Sequence, residues 1–181
     1  MTPAMETKLQ RLIDQADVRE VIEAYVHAQD RADVDATIDV YHADSWDDHG
    51  PLKSSGPEFA TNVVDSLRQY WKSCNHLLGQ SRIRVTGDTA GAETLFFATL
   101  TRDENGITML DQQIGRYVDR FERRDGTWRI KERLCIQEWA CSAPLGASYV
   151  DRESFLKGLR SDEDASYAAL GLRKGCSRIG R

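Results

Sequence analysis

Nothing in these 181 residues offers a membrane span, a disulfide framework or a basic surface for nucleic acid. No apolar run approaches the ~20 residues that a bilayer-crossing helix needs. The four cysteines, Cys74, Cys135, Cys141 and Cys176, form no CxxC pair and show no zinc-ligand spacing. The start, Met1-Thr2-Pro3-Ala4-Met5-Glu6, runs straight into polar sequence without a leader-like apolar segment. These absences predict a cytoplasmic protein with reduced thiols. Lysine and arginine number 24 against 29 acidic residues, a net charge of −5, which argues against nucleic acid as a partner. The one basic tract, residues 172–181, reads as a solvated tail. Internal repeats and low-complexity stretches are missing as well.

What is present is an ordinary globular composition, 40% hydrophobic and 29% charged. The length predicts one domain over residues 1–181, with a core over about 8–140, a helical extension over about 150–172 and the tail beyond. Leu9, Leu12, Ile13, Ala16, Val21, Ile22, Tyr25 and Val26 recur mostly at steps of three and four, the period of a helix. Asp17 and Glu20 resemble a capping box that restarts this helix after a short break. It fades near Asp30, and Asp33 can cap a second, shorter helix through Val40. Pro57 suits the first turn of a third helix carrying Phe59, Val63, Leu67, Tyr70 and Trp71.

The later chain reads as β. Runs over 77–85, 92–101, 112–122 and 128–139 are separated by turn signals at Gly87-Asp88, Asn105-Gly106 and Asp125-Gly126. A polar helix over 151–170, packing through Phe155, Leu159 and Tyr167, is expected to follow. Helices first and four long strands afterwards is an α+β order. A strongly curved antiparallel sheet closed by helices would enclose a small-molecule cavity.

Taken alone, Asp30 is an ordinary helix-end aspartate and His76 an ordinary hydrogen-bonded core histidine. As a pair they supply a base and the carboxylate that fixes its tautomer and orientation. The spacing by itself does not place them in contact. Tyr25 lies about 140° round a regular helix from Asp30, yet its hydroxyl could still serve the cavity as a hydrogen-bond donor. The polar stretch from Tyr41 to Gly50 has no recognised metal-ligand spacing and reads as a loop into a short strand. Trp46 and Asp48 would share one face of that strand, and Asp47 and His49 the other. From this region Tyr41, Trp46 and Asp48 are candidates for contact with substrate. From the late strands the candidates are Arg116, Arg133 and Trp139, the last pointing the same way as Arg133, Cys135 and Gln137.

Three segments together resemble the SnoaL-like family of the NTF2-like superfamily. They are the helix end 23–33, the strand entry Cys74-Asn75-His76-Leu77-Leu78-Gly79, and the stretch from Arg116 to Ile130. The resemblance covers roughly residues 8–140. It is nearest to the dehydrochlorinase, bile acid 7α-dehydratase and scytalone dehydratase members. It implies a cone-shaped α+β barrel, a homo-oligomer with trimer favoured over dimer, and cofactor-free lyase chemistry at an Asp–His pair. Asp30 and His76 fall where that pair falls, and Tyr25 where the bile acid dehydratase has a catalytic tyrosine. The late arginine of the bacterial lyases falls near Ile136 here, so its role passes to Arg133 or Arg116 or is missing. The expected function is elimination of water, halide or a one-carbon fragment such as formaldehyde from a small hydrophobic, aromatic or polycyclic substrate, with no metal or cofactor. An isomerase or cyclase using the same pair, and a non-catalytic ligand-binding module, are the alternatives.

Overall fold

Residues 4–31 contain neither glycine nor proline, so nothing interrupts the backbone hydrogen-bond ladder of a helix there. In the computed structural model, which describes residues 1–147 and 154–172, they form one helix, α1 (Pro3–Arg31). Thr2 caps it by accepting from the Met5 amide at 3.3 Å. The break expected at Asp17–Glu20 is absent, and both side chains lie exposed on a continuous helix. Val18, Val21, Ile22 and Tyr25 are buried, whereas Leu9, Leu12 and Ile13 stay exposed because the first turns overhang the sheet without a partner surface among the described residues. At the far end Ala32 adopts a left-handed conformation, φ 53°, and turns the chain immediately after Asp30. Asp33 then caps α2 (Val34–Asp39) through its side chain, 3.0 Å from the Ala36 amide.

Two strands follow, β1 (Tyr41–His49) and β2 (Leu52–Ser55), and then α3 (Gly56–Tyr70) with Pro57 in its first turn. The long strands are β3 (Ser73–Thr86), β4 (Thr89–Glu104), β5 (Ile107–Arg124) and β6 (Thr127–Pro144). Asn105-Gly106 and Asp125-Gly126 have positive φ at both residues, 51° and 80° in the first and 51° and 75° in the second. That is the requirement of the two-residue hairpin turn whose twist matches its strands. The order across the sheet is β2-β1-β6-β5-β4-β3. The β3 to β6 meander is antiparallel, as expected, and β1 adds to it by pairing parallel with β6.

Two bulges in β6 set which of its side chains point inward. Phe121 pairs with Ile130 and Arg120 with Glu132, so Lys131 is an extra residue; Gly115 pairs with Gln137 and Ile114 with Trp139, so Glu138 is another. The first bulge carries the inward face from Trp128 and Ile130 to Arg133, Cys135 and Gln137. The second turns Trp139 outward. Gly115 stands opposite this second bulge, and a Cβ there would come within 2.8 Å of the Phe96 ring. The helices cover the inner face, and the core runs between α1, α3 and the even-numbered residues of β4, Ala90 to Leu100.

Near the C-terminus the α-helix among the described residues is α4 (Ala165–Leu170), and residues 148–153 and 173–181 lie outside the described residues. Of the three expected packing residues only Tyr167 is buried; Phe155 and Leu159 are exposed. Polar contacts do the docking instead. Arg31 bonds Asp164 at 2.9 Å, His27 bonds Ser166 at 3.0 Å, and the Tyr167 hydroxyl donates to Asp33 at 2.7 Å. No helix of the described residues is long and apolar enough to cross a membrane.

Candidate active site

β3 is an edge strand, so alternate backbone N–H groups on its outer side need partners from elsewhere. Asp30, at the last turn of α1, supplies one. Its Oδ2 accepts the His76 backbone N–H at 3.0 Å, and its Oδ1 lies 2.7 Å from His76 Nδ1. One carboxylate therefore fixes both the backbone and the ring of the same residue. With Nδ1 committed to Asp30, Nε2 is the nitrogen left for chemistry. Cys74, two residues earlier on the same strand face, puts its sulfur 3.8 Å from His76 Nδ1. Burial opposes an imidazolium here. The Asp30 and Cys74 contacts outweigh it, and His76 is raised to about 10.

His76 opens onto a cavity of about 510 Å³ between the sheet and the helices. Leu67, Val63, Trp71, Phe96 and Leu100 give its apolar lining. Tyr25, Tyr117, Gln29, Gln113 and His49 give polar edges. Residues from β1 and from β3 line this one space, although three strands separate them in the sheet order, so the sheet wraps around it.

Tyr25 is buried, lines the cavity and meets Tyr117 edge-on at 5.5 Å. Burial drives its phenol well above the ordinary range, so it keeps its proton at neutral pH and can donate a hydrogen bond. Beneath it lies Arg133, fully buried. Its guanidinium bonds both oxygens of Asp119 at 2.7 Å and sits 4.1 Å and 4.2 Å from the ring centroids of Tyr25 and Tyr117.

Several expected site residues are elsewhere. Arg133 is spent on Asp119 under the cavity floor and does not line the cavity. Arg116 lies on the outer sheet face, bonded to Glu138 at 2.7 Å and Glu93 at 2.8 Å. No late-strand arginine therefore reaches the cavity. Trp139, turned outward by the second β6 bulge, is 48% exposed and leans on Phe97. Trp46 and Asp48 do share a face of β1, but it is the outer one: Trp46 is exposed, and Asp48 pairs with Lys53 at 2.9 Å. Tyr41 is buried and turned inward, yet its hydroxyl is held by Asp47 at 2.5 Å and not presented to the cavity.

The inner face of β1 carries Asp47 and His49, which sequence reasoning paired correctly but did not select. His49 lines the cavity and its Nδ1 is bonded to Asp47. Period-two alternation was the available signal. Which face turned inward depended on the irregular β1–β6 register between Tyr41 and Trp46. Cys74, Trp71 and Gln29 were also missed as lining residues; nothing in their local sequence marks them.

Among the described residues, Asp30, Cys74 and His76 form a group whose potential ligand atoms lie within 4.8 Å of one another. Asp30 Oδ1 already bonds His76 Nδ1 and Oδ2 the His76 backbone N–H, so a cation there would have to displace the pair's own hydrogen bonds. The donor set fits a hydrogen-bonded dyad with a thiol beside it.

Comparison with known proteins agrees with this architecture. The model of the SnoaL-like domain matches residues 10–134. The chain belongs to the SnoaL-like family. A type 2 hexachlorocyclohexane dehydrochlorinase superposes with a TM-score of 0.68 at 17% identity, covering 82% of this chain and 99% of that one. A candidate scytalone dehydratase from Novosphingobium aromaticivorans gives 0.64 at 13% identity, with 81% and 97% covered. The β subunit of a candidate aromatic-ring-hydroxylating dioxygenase from the same organism gives 0.58 at 25% identity, with 71% and 91% covered. No curated protein sequence matches the chain. These neighbours share the NTF2-like α+β fold. Their different activities mean that, for this SnoaL-like chain, the site and not the fold must carry the functional argument.

Proposed function

We propose that the chain is a cofactor-independent lyase in which His76, oriented by Asp30, removes a carbon-bound proton from a small aromatic or polycyclic substrate. The observation that carries this reading is the double contact of Asp30 with the ring and backbone of His76 on the wall of a cavity. Proton abstraction needs a base whose free nitrogen is fixed in direction and shielded from bulk water. Tyr25 donates a hydrogen bond to a substrate oxygen, and the apolar lining excludes water while the aromatic walls orient the ring. The electron pair released on carbon forms a double bond as the neighbouring leaving group departs. Water and halide satisfy this scheme; formaldehyde would leave by the related step in which His76 takes the proton of a hydroxymethyl O–H, the C–C bond breaks and its electron pair stays on the substrate carbon.

Three accompanying proposals complete the reading. The whole chain is one domain, its C-terminal segment tied to α1 by the Arg31 and His27 contacts and to the cap of α2 by the Asp33 contact. The protein works in the cytoplasm, with Cys74, Cys135 and Cys141 as thiols. It assembles as a homotrimer through the outer sheet face, where Leu77, Leu134, Ile136 and Trp139 are exposed.

The test uses 4-hydroxy-4-phenylbutan-2-one, an aromatic β-hydroxy ketone with an acidic CH2 between the carbonyl and the hydroxyl-bearing carbon. Elimination gives 4-phenylbut-3-en-2-one and water, read by absorbance and by the lost mass. Wild type is expected to accelerate the reaction, and His76→Ala to lower kcat/KM by about 10³-fold with an unchanged circular dichroism spectrum. A folded His76→Ala protein with wild-type turnover overturns the proposal. A product of unchanged mass would place the chain with isomerases.

A further inference from the structure

We propose that the cavity contains a second proton-transfer group, His49 backed by Asp47, which acts as the general acid for an oxygen leaving group. This rests on the reading of His76 as the base and adds the other half of the reaction.

The second pair is built as tightly as the first. Asp47 is fully buried. Its Oδ2 accepts the Tyr41 hydroxyl at 2.5 Å and its Oδ1 contacts His49 Nδ1. A carboxylate already accepting from a phenol calls for an N–H at that imidazole nitrogen, so Nε2 is the one left to face a ligand. The ring cannot swing away: it stacks on Phe59 at 4.4 Å and 20°. A histidine serving only the core would need neither a cavity position nor a carboxylate clamp, and His49 has both.

Its position relative to His76 gives it a role. His76 is on β3 and His49 on β1, with β4, β5 and β6 between them. The floor between the two imidazoles is aromatic. Phe96 and Tyr117 stack on each other at 4.4 Å; His76 lies 6.2 Å from Phe96 and His49 lies 6.1 Å from Tyr117. A planar substrate lying on this floor has an imidazole on either side. Two neighbouring groups are poor sources of the leaving group's proton. Arg133 is committed to Asp119, and burial pushes the Cys135 thiol up to about 12.

The step balances as follows. His76 Nε2 takes the proton from carbon. The C–H electron pair becomes the second bond of the new C=C, and the adjacent C–O bond breaks with its electrons going to oxygen. His49 acts in its imidazolium form, with Nδ1–H held by Asp47, and gives its Nε2 proton to that oxygen, which leaves as water or an alcohol. His76 finishes with one proton more and His49 with one fewer, and exchange with solvent water resets both. A chloride needs no proton to leave, so the second pair selects hydroxy and alkoxy substrates over halides.

That difference is the experiment. Wild type, His49→Asn and Asp47→Asn are compared on 4-hydroxy-4-phenylbutan-2-one and its 4-chloro analogue, with the buffer rate subtracted. His49→Asn keeps an N–H where Asp47 needs one and removes Nε2 together with the ring that stacks on Phe59. Asp47→Asn disturbs the tautomer without removing the ring, and it stands in should the first variant fold poorly. The expected result is a loss of about 10²-fold in kcat/KM on the alcohol against about threefold or less on the chloride. Equal losses on both substrates, or no loss on the alcohol, overturn the inference. A wild type inert toward both, or an active His76→Ala, overturns the base reading and this inference with it. An inactive His76→Ala beside an unimpaired His49→Asn overturns this inference alone.

Discussion

The two histidine–aspartate pairs of the cavity reach similar geometry by different routes. Asp30 and His76 lie 46 residues apart, and the end of a helix must dock against an edge strand before they meet. Asp47 and His49 lie two apart on one strand, where the pleat alone puts them on the same side. The first pair is a tertiary contact that also satisfies a strand edge, so it bears on stability as well as chemistry. The second is local, but its carboxylate is buried beside Arg133, its register partner on β6. A mutation at the first pair should be felt at the helix–strand junction. One near the second should be felt in the charged layer under the floor.

The largest effect should come from that layer. Arg133 and Asp119 are both fully shielded from solvent, and removing one partner leaves an uncompensated charge. Arg133→Met is expected to cost about 4 kcal/mol of unfolding free energy in urea titrations. The double variant Arg133→Met/Asp119→Leu should recover most of that loss. A single variant within about 0.5 kcal/mol of wild type, the range of ordinary surface changes, would mean that the layer does not support the second pair.

The contrast also accounts for what could be read in advance. The first three helices, the four long strands and their turns were legible because periodicity and the Asn-Gly and Asp-Gly signals are local, whereas the break at Asp17 and the extent of the last helix were misjudged. Asp30 and His76 were legible only through resemblance, since no local pattern says that a helix end meets a given strand. Asp47 and His49 were visible as one face of a strand, and Trp46 and Asp48 as the other; choosing between them needed the β1–β6 register. Trp139 was assigned inward because strict alternation from Arg133 puts it there, and one extra residue at Glu138 reverses it. Arg116 and Arg133 could not be separated by residue type, because an arginine serves equally well in a surface bridge, a buried pair or a substrate clamp.

A smaller effect with a pH signature is expected at the first pair. His76 in the folded protein is raised from an ordinary 6.5 to about 10. A group raised on folding stabilises fully below its unfolded value, and the contribution disappears as pH climbs through the folded one. Asp30→Asn should therefore cost about 2 kcal/mol near pH 6, and the deficit should shrink as the pH approaches 10. Activity should run the other way. The base form is the neutral ring, so kcat/KM on the 4-chloro substrate, whose leaving group needs no proton, should rise with pH toward about 10 in wild type. Asp30→Asn should bring that rise to lower pH and reduce the plateau. Thermal melts and rate profiles at several pH values check both. A penalty that does not change with pH would mean that Asp30 holds the backbone of His76 and leaves its ring chemistry alone.

The smallest effect separates the two pairs most directly. Tyr41 touches only the second: its hydroxyl donates to Asp47, and burial keeps that phenol protonated. Tyr41→Phe removes one donor from a buried carboxylate while preserving the ring that packs against Phe59 at 6.5 Å. The expected loss is about 1 kcal/mol of stability. In nuclear magnetic resonance spectra the ring signals of His49 should move, while those of His76 hold still. If the two pairs are independent, the phenol acts through Asp47 alone and only one imidazole senses its removal. If instead the His76 signals move as far as those of His49, the stacked Phe96 and Tyr117 rings transmit the change across the floor. The cavity would then hold one coupled acid–base system, and mutations at either histidine should cease to be additive.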